Sequence, residues 1–161
     1  MVGAGLTVEA TGGCQWYAGA GVYFDGTYRK GKKVPAPTLK SRSIFQTEEE
    51  EQAFRQLVGR DYELFVDSMA MIFEEDDLDG LGAKVVRGTV RGLLATVEAI
   101  IIYRNADNLW AAVLDDDVVK YHTTVPEFRN RLPRTIEKWR ELFKEKKVLF
   151  MSAPKGPIPN P

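Results

Sequence analysis

Glycine is concentrated at the start of the chain, and this uneven distribution most constrains the fold. Eight of the 14 glycines lie within the first 31 residues. Each glycine inside a helix costs about 0.8–1.0 kcal/mol relative to alanine, so a helix is not expected there. We therefore predict that residues 1–46 form a β-hairpin and loops.

The hairpin is expected near residues 21–30. Asp25-Gly26 lies between two short runs of β-forming residues, and this dipeptide favours a type I′ turn. The stretch from Gly19 to Gly31 resembles one unit of a MORN repeat, a family of short Gly- and Tyr-rich hairpins that stack in arrays. The resemblance covers about one unit and implies a hairpin, not an array, because a stacked core needs about three units.

A helical period begins at residue 47. Thr47 and Glu50 form a capping-box pattern, and four glutamates follow in the first turn. Apolar residues then recur at steps of three and four as far as Phe73, which predicts an amphipathic helix. Gly59 is expected to kink this helix or to split it in two.

Three further helices are predicted downstream. The first covers residues 81–104, where a row of small residues would allow close packing of a neighbour. The second covers residues 106–120. The third begins at Thr124, where Glu127 completes a second capping box, and Pro133 is expected to kink or restart it. Residues 148–151 are predicted to form a short strand.

The predicted fold class is α+β, mainly α. Three to four antiparallel helices would form one globular domain over residues 1–153, with the N-terminal β-hairpin packed on one side. Residues 154–161, with four prolines, would be a mobile tail. The predicted core residues are Phe54, Phe65, Met69, Val97, Ile101, Trp110, Phe128 and Trp139.

Composition excludes several classes of protein. The chain has 161 residues, a net charge of −1 and a single cysteine, Cys14, which rules out a disulfide scaffold. No segment approaches the roughly 20 apolar residues of a membrane span, and no signal peptide is expected, so a cytoplasmic location is predicted. The small net charge hides an acidic block of −10 at residues 47–79, between flanks of +4 and +5.

Two acidic clusters are the candidate metal ligands. The first resembles the opening half of a calcium loop, but its twelfth position is Val86 instead of the required glutamate. Both clusters are interpreted as solvated helix ends or turns, unless the fold brings them together into a two-part site. The candidate ligands are Glu75, Asp77, Asp79, Asp115, Asp116 and Asp117.

A second set of candidates consists of basic and titratable residues. His122 is the only histidine, and it is expected in a loop or cap, with a general-base role as the alternative. Arg129, Arg131 and Arg134 begin a basic run with interleaved aromatic residues, which is a pattern of nucleic-acid binding. Glutamates interrupt the run at helical spacing, as on an ordinary solvated helix face.

The sequence favours a non-enzymatic binding or oligomeric assembly module. The protein is expected to associate with itself, and binding to a different protein is an alternative. No cofactor and no membrane contact are predicted. Two alternatives remain open: an enzyme that uses a divalent metal or small ligand at the acidic clusters, and a nucleic-acid-binding protein that uses the basic C-terminal helix.

Overall fold

The computed structural model of the chain describes residues 5–9, 25–29, 31 and 35–151. The chain divides into two compact units, residues 1–36 and 37–161. Cys14, most of the stretch that resembles a MORN unit and the tail from residue 154 lie outside the described residues.

The first unit contains two paired strands. β1 (Gly5–Val8) runs antiparallel to β2 (Gly26–Arg29), with Gly26 opposite Val8. Gly26, which was expected in a turn, therefore lies within a strand.

The second unit begins with two consecutive helices. α1 (Glu48–Val58) has the predicted capping box: the Glu50 amide donates to the Thr47 hydroxyl over 3.2 Å, and the Glu50 carboxylate accepts from the Thr47 amide over 3.1 Å. One 3-10 turn, Gly59–Asp61, then leads into α2 (Tyr62–Ser68). Gly59 thus splits the helix, as expected, but the helical segment ends at Ser68 and does not reach Phe73.

The rest of the unit is dominated by a six-stranded sheet whose strands follow chain order. Neighbouring strands are antiparallel except for the last pair, which is parallel. The strands are β3 (Met71–Glu75), β4 (Lys84–Thr89), β5 (Glu98–Asn105), β6 (Asn108–Asp115), β7 (Val118–Thr123) and β8 (Lys147–Phe150).

The predicted mainly helical fold is therefore wrong, and the protein is not a helical bundle. Residues 81–104, predicted as a central helix, contain β4, a turn and all but the last residue of β5. Residues 106–120, also predicted as a helix, contain β6 and the first part of β7. The error has a physical cause: β5 and β6 are buried on both faces, so their apolar runs are continuous and carry no alternation.

A short helix connects the two parallel strands. α3 (Arg134–Trp139) begins directly after Pro133, which matches the predicted restart at this proline. The prediction of a second capping box is wrong. Thr124 does not cap a helix, and its hydroxyl instead accepts a hydrogen bond from the Leu109 amide over 2.9 Å. The predicted strand at 148–151 is confirmed in the main by β8.

The sheet has a helical layer on each face. α1 and α2 pack on one face against residues such as Ile101, while α3 packs on the other against Ile100 and Ile102. Six of the eight predicted core residues are buried; Val97 and Phe128 are only partly buried. None of the helices in the described part of the chain is long and apolar enough to cross a lipid bilayer.

Candidate functional site

The first edge of the six-stranded sheet is apolar and open. β3 pairs with β4 on one side, and within the described residues no strand covers its other side. All five residues of β3 are exposed, including Met71 at 40%, Ile72 at 37% and Phe73 at 38%. An exposed apolar edge is unusual in natural proteins. Its free backbone groups can pair with a strand of another molecule, so most proteins protect such an edge.

A groove of about 400 Å³ lies beside this edge, between the first strands of the sheet and α3. Ile100 of β5 and Arg87 of β4 contribute from the sheet, and Trp139 contributes from α3. Leu78 and Leu142 add exposed apolar side chains to the lining. The groove has the size and the mixed apolar and polar lining of a binding site.

Ion pairs in the groove neutralise most of its charge. The Arg87 guanidinium lies 3.1 Å from the Glu75 carboxylate and also approaches the Phe73 ring, 5.1 Å from its centroid. Lys138 and Glu141 form a second pair, at 2.9 Å. With its charges paired within the chain, the groove is better suited to apolar and backbone groups than to a strongly charged ligand.

The side chains of β3 alternate between the two faces of the sheet. Phe73 lies opposite Arg87, which lines the groove, so Phe73 is on the α3 face. Ile72 lies opposite Gly88, which is packed against Met69 at the end of α2. The edge therefore presents apolar side chains on both faces.

Asp79 holds α3 against the loop that follows β3. Its carboxylate accepts from the backbone amides of Arg134 and Thr135, each over 2.8 Å, and from the Thr135 hydroxyl over 2.7 Å. Burial alone would raise the pKa of Asp79, but the hydrogen bonds from Thr135 and Arg134 outweigh it and lower the pKa. Asp79 thus satisfies two free amides at the start of α3, a task usually performed by the preceding residue.

The predicted acidic ligands are occupied by structural contacts. Asp77 accepts from the Gly82 amide over 2.8 Å, Asp115 from Lys120 over 2.8 Å, and Asp117 pairs with Lys146. Asp116 lies in the turn between β6 and β7 with a φ of 52°. That turn and the loop after β3 lie at opposite ends of the sheet, so the two clusters do not converge. The described residues contain no group of three or more His, Cys, Asp or Glu that could hold a metal ion.

His122 lies in the core beneath α2, not in a loop or cap. Its Nε2 is 3.1 Å from Asp61 Oδ2, and Lys120 bonds the other oxygen of Asp61 over 2.8 Å. Burial lowers the pKa of His122, although Asp61 opposes this shift. The residue is only 3% exposed, so this network stabilises the helix–sheet contact and offers no access to a substrate.

The basic residues do not form a continuous helical face. Arg129 is exposed beyond a 3-10 turn, Arg131 stacks on Phe128 with its guanidinium 4.3 Å from the ring centroid, and Arg134 is the first residue of α3. Farther along, Lys138 is paired with Glu141, and Arg140 with Glu137. These pairs reduce the positive potential that binding to nucleic acid would require.

Sequence reasoning missed the open edge and the groove. The apolar residues of β3 were assigned to a helix, and Arg87 and Trp139 come from elements 52 positions apart in the chain. Comparison of the chain with known protein families, with curated proteins and with solved structures gives no match.

Proposed function

We propose that this protein is a non-enzymatic binding module that accepts an extended protein segment along β3. The single observation that carries the proposal is the exposed apolar edge strand directly beside a groove. A segment that pairs with β3 would gain backbone hydrogen bonds from the edge and place alternate side chains toward the groove.

The composition of the edge supports this role. Natural proteins usually protect an exposed edge with charged side chains, proline or a bulge. β3 has charged residues only at its end, Glu74 and Glu75, and presents three successive apolar residues before them, while its register with β4 is regular over all five residues. Such a strand offers a regular template to a partner.

The elements beneath the edge are closely packed and hydrogen-bonded. Gly88 in β4 allows the end of α2 to approach closely, since a Cβ atom at this position would lie 2.3 Å from the Met69 sulfur. On the other face, Asp79 fixes α3, which forms one side of the groove. A preformed edge and groove lower the ordering cost of binding.

The proposal is tested with displayed peptides and the full chain. Selection from a random-peptide library is expected to enrich extended peptides that shift the backbone amide signals of β3 in an NMR spectrum. Phe73→Lys should abolish their binding, because it places a charge at the centre of the edge. Leu94→Lys is the matched control, since Leu94 is 59% exposed in the connection between β4 and β5.

Two results would contradict the proposal. If the chain is a monomer and no enriched peptide shifts the β3 signals, or if Phe73→Lys and Leu94→Lys bind the enriched peptides equally well, β3 is not the binding edge.

A further inference from the structure

We infer that the segment that pairs with β3 is β3 of a second copy of this chain, in antiparallel orientation about a twofold axis at Phe73. This inference rests on the proposed function, because it names the partner of the same edge. The pairing would join the two six-stranded sheets into one continuous sheet.

The sequence of β3 is suited to pairing with itself. The strand has five residues, Met71–Glu75, with Phe73 at its centre. A twofold axis at Phe73 places Phe73 opposite the partner's Phe73, Met71 opposite the partner's Glu75, and Ile72 opposite the partner's Glu74. Directly opposed aromatic residues stabilise antiparallel pairs.

Charge selects the antiparallel orientation. In an in-register parallel pair, Glu74 and Glu75 would lie beside the same residues of the partner, and like charges side by side are destabilising. In the antiparallel pair each glutamate faces an apolar residue instead. Each also keeps a cation from β4 of its own chain: Lys84 is 3.6 Å from Glu74, and Arg87 is 3.1 Å from Glu75.

Symmetry favours the same arrangement. A β3–β3 contact uses one surface twice and closes as a dimer. The alternative, in which β3 pairs with β8 of another copy, uses two different edges and would grow into open chains of molecules. The two arrangements therefore differ in the sizes of the species they produce.

Disulfide cross-linking tests the register directly, in full-length chains that carry Cys14→Ser. Opposed residues of antiparallel strands have Cα atoms about 4.5–5.5 Å apart, within the range that a disulfide spans. Phe73→Cys should therefore form a covalent dimer on mild oxidation. Met71→Cys alone should not, because the two copies of residue 71 would lie roughly 13 Å apart along the strands.

A mixture of two cysteine variants completes the test of the register. Met71→Cys and Glu75→Cys chains should cross-link with each other and not with themselves. Leu94→Cys reports the background of random collisions. A covalent dimer of Met71→Cys alone, or yields for Phe73→Cys no higher than for Leu94→Cys, would overturn the register.

Sedimentation over a wide concentration range measures the association itself. The unmodified chain should show a monomer–dimer equilibrium, and Phe73→Lys should weaken it about tenfold or more, with Leu94→Lys unchanged. Met71→Glu should weaken the dimer more than Met71→Lys, since residue 71 faces a glutamate of the partner.

The outcomes separate this inference from the proposed function. A strict monomer that still binds displayed peptides at β3 overturns the self-pairing alone. A ladder of species larger than the dimer favours the β3–β8 contact and also overturns it. A monomer that binds no peptide at β3 overturns both.

Discussion

Replacement of Asp79 by alanine should destabilise the protein by about 2 kcal/mol. The change removes the acceptor of three hydrogen bonds, from the two amides and the hydroxyl that begin α3. Loss of a helix cap costs about 0.5–2 kcal/mol, and a hydrogen bond to a charged group contributes about 1.5–3 kcal/mol. Because Asp79 is partly exposed, water recovers some of this loss, so the expected total is well below the sum.

The assay is urea or thermal unfolding of the full chain. About 2 kcal/mol corresponds to a fall in Tm of about 4–8 °C for a protein of this size. Asp79→Asn should cost about half as much, because one amide oxygen can still accept. The control is Asp76→Ala, in the same loop, since the exposed side chain of Asp76 forms no hydrogen bond or ion pair with any described residue. The reasoning is refuted if Asp79→Ala is as stable as Asp76→Ala.

The pH dependence of the free energy of unfolding gives an independent check on the contact between Asp79 and the start of α3. The pKa of Asp79 is lowered below its ordinary value of 3.8, so the unfolded chain binds the proton first. The stabilisation is therefore complete above pH 3.8 and is lost as the pH falls further. Asp79→Asn should lose less stability over this acid range than the unmodified chain does.

Two further predictions concern the other face of the sheet. Gly88→Ala should destabilise the protein by about 1–3 kcal/mol in thermal unfolding, because the new Cβ would lie 2.7 Å from the Ser68 carbonyl oxygen. The control is Gly31→Ala, since a Cβ at residue 31 would have no atom within 4 Å. The pKa of His122 is lowered from its ordinary 6.5, so stability should fall as the pH drops below 6.5, by up to about 1.4 kcal/mol per pH unit. His122→Gln should make the free energy of unfolding less dependent on pH in this range, and an unchanged slope would contradict the role given to His122. The direct measurement is the NMR signal of the imidazole, which should titrate below pH 6.5; its assignment is simple because the chain has one histidine.

Local signals in the sequence predicted local structure well. The Thr47–Glu50 capping box and the break at Gly59 appear as expected, because both depend on contacts within a few residues. Two short connections join strands within segments that were predicted to be helical. Ala106-Asp107 joins β5 to β6, and Asp116-Asp117 joins β6 to β7 in a cluster for which a turn was one of the expected outcomes; aspartate is a common turn residue.

The exposed edge strand β3 could not be predicted from the sequence for a different reason. Ile72 and Phe73 continue the helical spacing that begins at Phe54, so periodicity alone assigns this segment to the helix. Their strand conformation depends on pairing with β4, and their exposure depends on the absence of a neighbouring strand in the described chain. Neither property belongs to the residues themselves.

The sequence by itself determined where helix α1 begins, where it breaks, and that apolar residues such as Ile101 and Trp110 are buried. Tertiary structure decided that these buried runs are strands, because helices on both faces of the sheet remove the alternation that would identify them. It also placed Asp61 beside His122 and Asp79 beside Thr135, in contacts 61 and 56 residues apart. Such contacts depend on how the chain folds back on itself, and local spacing carries no record of them.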